Sequence, residues 1–165
     1  MKNQIKEILN LSNFIKFKKY YSLKNKDVFI IGSAPNPNLK LYSENKKIIS
    51  CNASALSAKN NNLPEPYYTI VDNELIDKNI AKIKKSRSKI INNELLKGIN
   101  LGRLISVQSN YSKGGSPSIL QANYNNFFNI NKTLRKMILK KILKINWIEE
   151  NDNSLASTGG FAIAL

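Results

Sequence analysis

Three short tracts of small polar residues, each following an apolar run, are where this chain could do chemistry. Gly32-Ser33-Ala34-Pro35 follows Val28-Phe29-Ile30-Ile31, and Cys51-Asn52-Ala53-Ser54 follows Ile48-Ile49-Ser50. Asp72-Asn73-Glu74 follows Tyr67-Tyr68-Thr69-Ile70-Val71. A glycine at the first position lets the chain turn tightly and leaves backbone N–H groups able to face a phosphate or a sugar hydroxyl. The Asn52 amide suits hydrogen bonding to a base or ribose, while Asp72 and Glu74 are carboxylates able to take a proton. A fourth cluster, Ser157-Thr158-Gly159-Gly160, opens an apolar stretch and reads as an anion site at a helix N-terminus. Each tract alone also fits ordinary turn and N-cap chemistry. Convergence of all four on one cleft is the stronger signal.

Several chemistries are excluded at once. The first tract is neither GxGxxG nor GxxxxGK[ST], so neither dinucleotide nor Walker-type nucleotide binding is supported. The 165 residues include no histidine and one cysteine, Cys51, which removes the usual proton shuttle, the commonest zinc ligand and any internal disulfide framework. No metal and no resident cofactor are expected. Catalysis would fall to carboxylates, hydroxyls, amides, Lys or Tyr.

The elements that must position these residues follow from the pattern. Continuous apolar runs stopped by small polar residues predict buried strands at Val28–Ile31, Lys47–Cys51, Tyr67–Val71 and Leu104–Gln108. Helical spacing predicts helices over Leu75–Lys85, Ile119–Phe128 and Asn131–Ile145, with a loop from Asn110 to Pro117. Alternating strands and helices give an α/β fold, a Rossmann-like parallel sheet flanked by helices. Ligands in such sheets bind at the C-terminal strand ends, near the point where strand order reverses. Residues 1–26 read as a basic amphipathic helix and 27–165 as the sheet domain. The apolar helix opened by Ser157 has no strand after it, so the domain is expected to be incomplete at its C-terminus.

The net charge of +15 comes from 26 Lys and Arg against 11 Asp and Glu. Only Arg87, Arg103 and Arg135 are arginine, the side chain that reads phosphates and guanine edges in bidentate fashion. Specific nucleic-acid binding is therefore not expected, and solvated lysine is the ordinary reading. Both basic helices fit packing on their own sheet; they also fit peripheral contact with an anionic membrane surface. No apolar run approaches the ~20 residues of a membrane span, and Lys2, Lys6 and Glu7 interrupt any signal-peptide pattern. The single cysteine suits a reducing, cytoplasmic setting.

The order and spacing of Val28-Phe29-Ile30-Ile31-Gly32-Ser33-Ala34-Pro35, then Ile49-Ser50-Cys51-Asn52, then Ser157-Thr158-Gly159 resembles the bacterial sialyltransferases. More distantly it is similar to the sialyl motifs of the animal enzymes. The resemblance spans residues 27–73 and 154–165. It implies a glycosyltransferase that takes a nucleotide-activated sugar of the CMP-sialic acid type and transfers it to an acceptor hydroxyl. It would set Gly32 and Ser33 near the donor phosphate and ribose, and Asn52 on the donor. Asp72 and Asn73 would lie near the transferred sugar, and Ser157, Thr158 and Gly159 at the cytidine side. Ser33 stands where the family has Asn, and Ala34 where it has Gly. The family's histidine base would fall beyond Leu165, leaving Asp72 and Glu74 as the candidates within the chain. Two other readings stay open: a Rossmann-like enzyme resembling the pterin diphosphokinases, and a truncated, non-catalytic binding module.

Overall fold

The computed structural model describes residues 11–19, 23, 26–32, 39–76, 96–108 and 116–142. Its centre is one sheet of five parallel strands: β1 (Val28–Ile31), β2 (Lys47–Cys51), β3 (Tyr68–Asp72), β4 (Arg103–Val107) and β5 (Asn126–Ile130). Three helices accompany it: α1 (11–19), α2 (Ser54–Asn60) and α3 (Lys132–Ile142). Single 3₁₀ turns lie at Leu39–Leu41, Asn73–Ile76 and Pro117–Ile119. The chain is thus an α/β protein with a Rossmann-like parallel sheet.

The strands lie in the sheet in their sequence order, β1-β2-β3-β4-β5. The reversal of order expected from the Rossmann pattern does not occur among the described strands. A sequential order has a physical consequence, because parallel crossovers share one hand and so place every connection on the same face. That face holds α2 and the segments before β4 and β5, packing Ala55, Ile76, Leu96 and Leu120 onto Val71 and Leu104. The opposite face can then be covered only by chain outside the crossovers. There Phe17 of α1 and Leu134 and Ile138 of α3 pack on Ile49, Tyr68, Ile70, Ile105 and Ile130. Phe17 and Phe128 stand 5.6 Å apart between ring centres.

Both faces are therefore apolar in the middle strands, which is why those strands read as continuous hydrophobic runs. The exceptions on the α2 face are hydroxyls that satisfy one another. Thr69 Oγ1 donates to the Leu101 carbonyl at 2.7 Å, so Ser50 Oγ, 2.6 Å from it, must be the donor to Thr69.

The expected helix over Ile119–Phe128 is replaced by a 3₁₀ turn and the edge strand β5. Asn123, Asn125 and Asn126 favour turns over helix interiors. Phe127 and Phe128 each find apolar cover, on opposite faces, only in an extended chain. The helix from Asn131 forms as Lys132–Ile142, with Asn131 Oδ1 accepting from Leu134 N at 2.8 Å as its N-cap.

Candidate functional site

The C-terminal ends of β1, β2 and β3 are adjacent and are tied together by side chains. Ser54 Oγ donates to the Ile31 carbonyl at 2.6 Å and accepts from Cys51 N at 2.7 Å, which locks the end of β1 to that of β2. Asn52 Oδ1 accepts from Asp72 N at 3.1 Å, while Asn52 N donates to the Ile70 carbonyl at 2.8 Å, fixing β2 to β3. Asn52 does this from a left-handed backbone, φ 53°, a conformation asparagine tolerates better than most residues. The sequence left Asn52 open to a ligand contact or to ordinary turn chemistry, and the structure shows a structural contact. Its oxygen is engaged by the protein backbone.

Gly32, Asn52 and Asp72 thus share one edge. Gly32 is exposed, with no left-handed backbone, and among the described residues a Cβ placed on it would meet nothing within 4 Å. The turn expected after it, residues 33–38, lies outside the described residues. Asn52 and Asp72 are half-buried. Asn73 is fully buried. The backbone of Glu74 lies in the 3₁₀ turn that follows β3. Ser33, Ser157, Thr158 and Gly159 lie outside the described residues.

Two residues that composition grouped with the solvated basic surface or passed over belong to this edge. Arg135, in the first turn of α3, is fully buried and donates through Nη1 to the Gln108 carbonyl at 2.6 Å. Gln108 Oε1 in turn accepts from Lys132 N at 3.1 Å. Helical spacing puts Arg135 about 60° round the helix from Ile138, at the flank of the inward stripe, so its burial was only weakly signalled.

Cys51 at the end of β2 is 5% exposed, and burial pushes its thiol up to about 11. A thiol held protonated is a poor nucleophile, so Cys51 is structural. In the native protein it should resist a thiol-specific disulfide reagent at pH 8 and react fully once urea unfolds the chain; rapid native labelling would contradict this. The sign of its pH effect follows from proton counting. Between the ordinary thiol range and about 11 the unfolded chain has lost the proton that the folded chain keeps. Stability therefore falls as pH rises through that window, by at most ~1.4 kcal/mol per unit, and is untouched by this group at neutral pH.

Two cavities among the described residues lie at the other edge, where the strands begin. One of about 470 Å³ is lined by Ala55, Ala58, Leu63, Glu65, Ile99 and Asn123, among others. Another of about 340 Å³ has Lys47, Tyr67 and Arg103 in its wall. Neither reaches Gly32, Asn52 or Asp72. Residues 33–38, 77–95 and 109–115, which follow β1, β3 and β4, lie outside the described residues, so these volumes do not bear on the C-terminal edge. Open α/β sheets bind ligands outside the carboxyl ends of strands where strand order reverses, and no such reversal occurs among the described strands. Among the described residues no group of three His, Cys, Asp or Glu could hold a metal ion, and no helix is long and apolar enough to cross a membrane.

Comparison of the chain with protein families, with curated proteins and with solved structures finds no match.

Proposed function

We propose that the C-terminal edge of β1, β2 and β3 holds the donor of a glycosyltransferase-like reaction, a nucleotide-activated acid sugar of the CMP-sialic acid type. The observation that supports this is the cross-bracing of three adjacent strand ends by Ser54 and Asn52. Strand ends braced in this way hold backbone and side-chain donors in place for a phosphate or ribose.

Gly32 and Ser33 would face the phosphate and ribose, and the Asn52 amide would donate to the donor nucleotide. Asp72 would lie near the transferred sugar, with Asn73 buried next to it in the chain. Ser157, Thr158 and Gly159 would supply hydroxyl and N–H donors to the cytidine side. In the reaction the acceptor hydroxyl oxygen bonds to the anomeric carbon as the bond to the phosphate oxygen breaks. The nucleotide leaves as its monophosphate, and the hydroxyl proton passes to a base. Asp72 and Glu74 are the candidate bases in this chain, which contains no histidine.

Calorimetric titration with CMP, UDP, GDP and magnesium ATP tests the reading. Saturable binding of CMP in preference to the others, weakened about tenfold or more by Asn52→Ala, is expected. Absent or equal heats would overturn it, and preference for magnesium ATP would favour a diphosphokinase-like site instead.

A further inference from the structure

Helix α1 does two things with its apolar residues. Phe17 is buried and Phe14 packs against the same core, so that side of the helix is seated on the sheet. Leu11 and Ile15 are nevertheless 45% and 58% exposed. At about 100° per residue Ile15 lies on the side of the helix away from Phe17, with Leu11 one turn before it. Lys18 and Lys19 flank this two-residue ridge on either side, Lys16 lies beyond Lys19, and all three are exposed. No acidic residue occurs in 11–19, nor in α3, which packs on the same face of the sheet.

We infer that this face of α1 is a docking surface for an anionic lipid bilayer. The chemistry of the patch selects that occupant. An aliphatic ridge bordered by lysines matches an interface where acyl chains lie beneath anionic headgroups, because lysine stems follow the apolar surface while their ammonium groups reach the phosphates. A protein interface has the opposite composition at its centre, being depleted in lysine and enriched in aromatic residues. A second copy of this chain would bring the same cations face to face. The inference stands apart from the donor site, which lies at the strand ends.

The test is sedimentation of the full chain with vesicles of phosphatidylcholine alone, and of phosphatidylcholine with phosphatidylglycerol. The protein should bind the anionic vesicles only, more weakly as salt rises. Because a cationic protein adheres to anionic vesicles without inserting anything, the decisive variant is the pair Leu11→Gln with Ile15→Gln, which keeps the charge. It should lower the affinity about tenfold or more, while circular dichroism confirms that the fold is kept. Absence of binding, or unchanged affinity in this pair, would overturn the inference. So would a concentration-dependent dimer, measured by light scattering, that the pair abolishes.

Discussion

Replacing Gly102 by alanine is expected to cost about 3–5 kcal/mol, enough to leave a domain of this size largely unfolded or insoluble. Gly102 precedes β4 with φ +60°, a region where a Cβ alone costs roughly 1–2 kcal/mol. The larger effect is steric. The added Cβ would stand 2.0 Å from the Pro66 carbonyl oxygen and 2.9 Å from that of Tyr67, both backbone atoms. Neither side can yield easily. Gly102 is held on both sides: its N–H donates to Asn100 Oδ1 at 3.0 Å, and its carbonyl accepts from Asn125 N at 2.9 Å. Arg103 N donates to the Tyr67 carbonyl at 3.2 Å, on the strand that would have to move.

The other glycines provide internal controls. At Gly98, φ +68°, a Cβ meets nothing within 4 Å, so Gly98→Ala should cost only the backbone strain, about 1–2 kcal/mol. Gly32→Ala should be nearly neutral for stability, because among the described residues neither space nor backbone opposes it. Urea unfolding of the three variants checks the order. Gly102→Ala within about 1 kcal/mol of the parent would mean that the approach of β3 to β4 at this point is not as described.

The second large effect is expected at Arg135. Arg135→Ala removes a fully buried side chain and the donor to the Gln108 carbonyl, for an expected loss of about 3–5 kcal/mol. Two contributions add: a cavity the size of the guanidinium and its stem, and a carbonyl at the end of β4 deprived of a charged donor. Arg135→Met separates them. It refills most of the volume without the hydrogen bond, and a loss of about 1–3 kcal/mol is expected. Arg135→Lys should also fall short of the parent, since a single ammonium cannot reproduce the planar fork. Equal urea midpoints for the parent and Arg135→Ala would refute a bracing role for this residue between α3 and β4.

Arg135 also shows where sequence patterning loses its grip. Composition places it among the lysines of a basic helix, as solvated surface. Helical spacing places it at the flank of the inward stripe, about 60° from Ile138. Charge class pointed outward and a flank position allowed either side; burial won because the end of β4 offers a carbonyl within reach. The region after Ile119 failed for a related reason. Ile119, Leu120, Tyr124, Phe127 and Phe128 are compatible with helical spacing, yet β4 has an open edge that only an extended segment can satisfy through its backbone.

Much of the candidate site was legible because apolar runs end where strands end. β1 and β2 begin and stop where their hydrophobic runs do, and β3 and β4 shift by one residue. Gly32, Asn52 and Asp72 were therefore found at strand ends by counting alone. Their relations were not. That Asn52 spends its oxygen on Asp72 N, that Ser54 clamps β1 to β2, and that Asn73 is buried depend on which strands are neighbours.

The sequence by itself determined the α/β class, four of the five strands and the small polar residues that terminate three of them, because hydrophobic runs and their breaks are local properties of the chain. Only the tertiary structure decided that the strands lie in sequential order, that α1 and α3 cover the face which the crossovers leave bare, and that Gly102 lies against the backbone carbonyls of Pro66 and Tyr67. These depend on which distant segments meet, and a contact between residues far apart along the chain leaves no mark on the periodicity of either one.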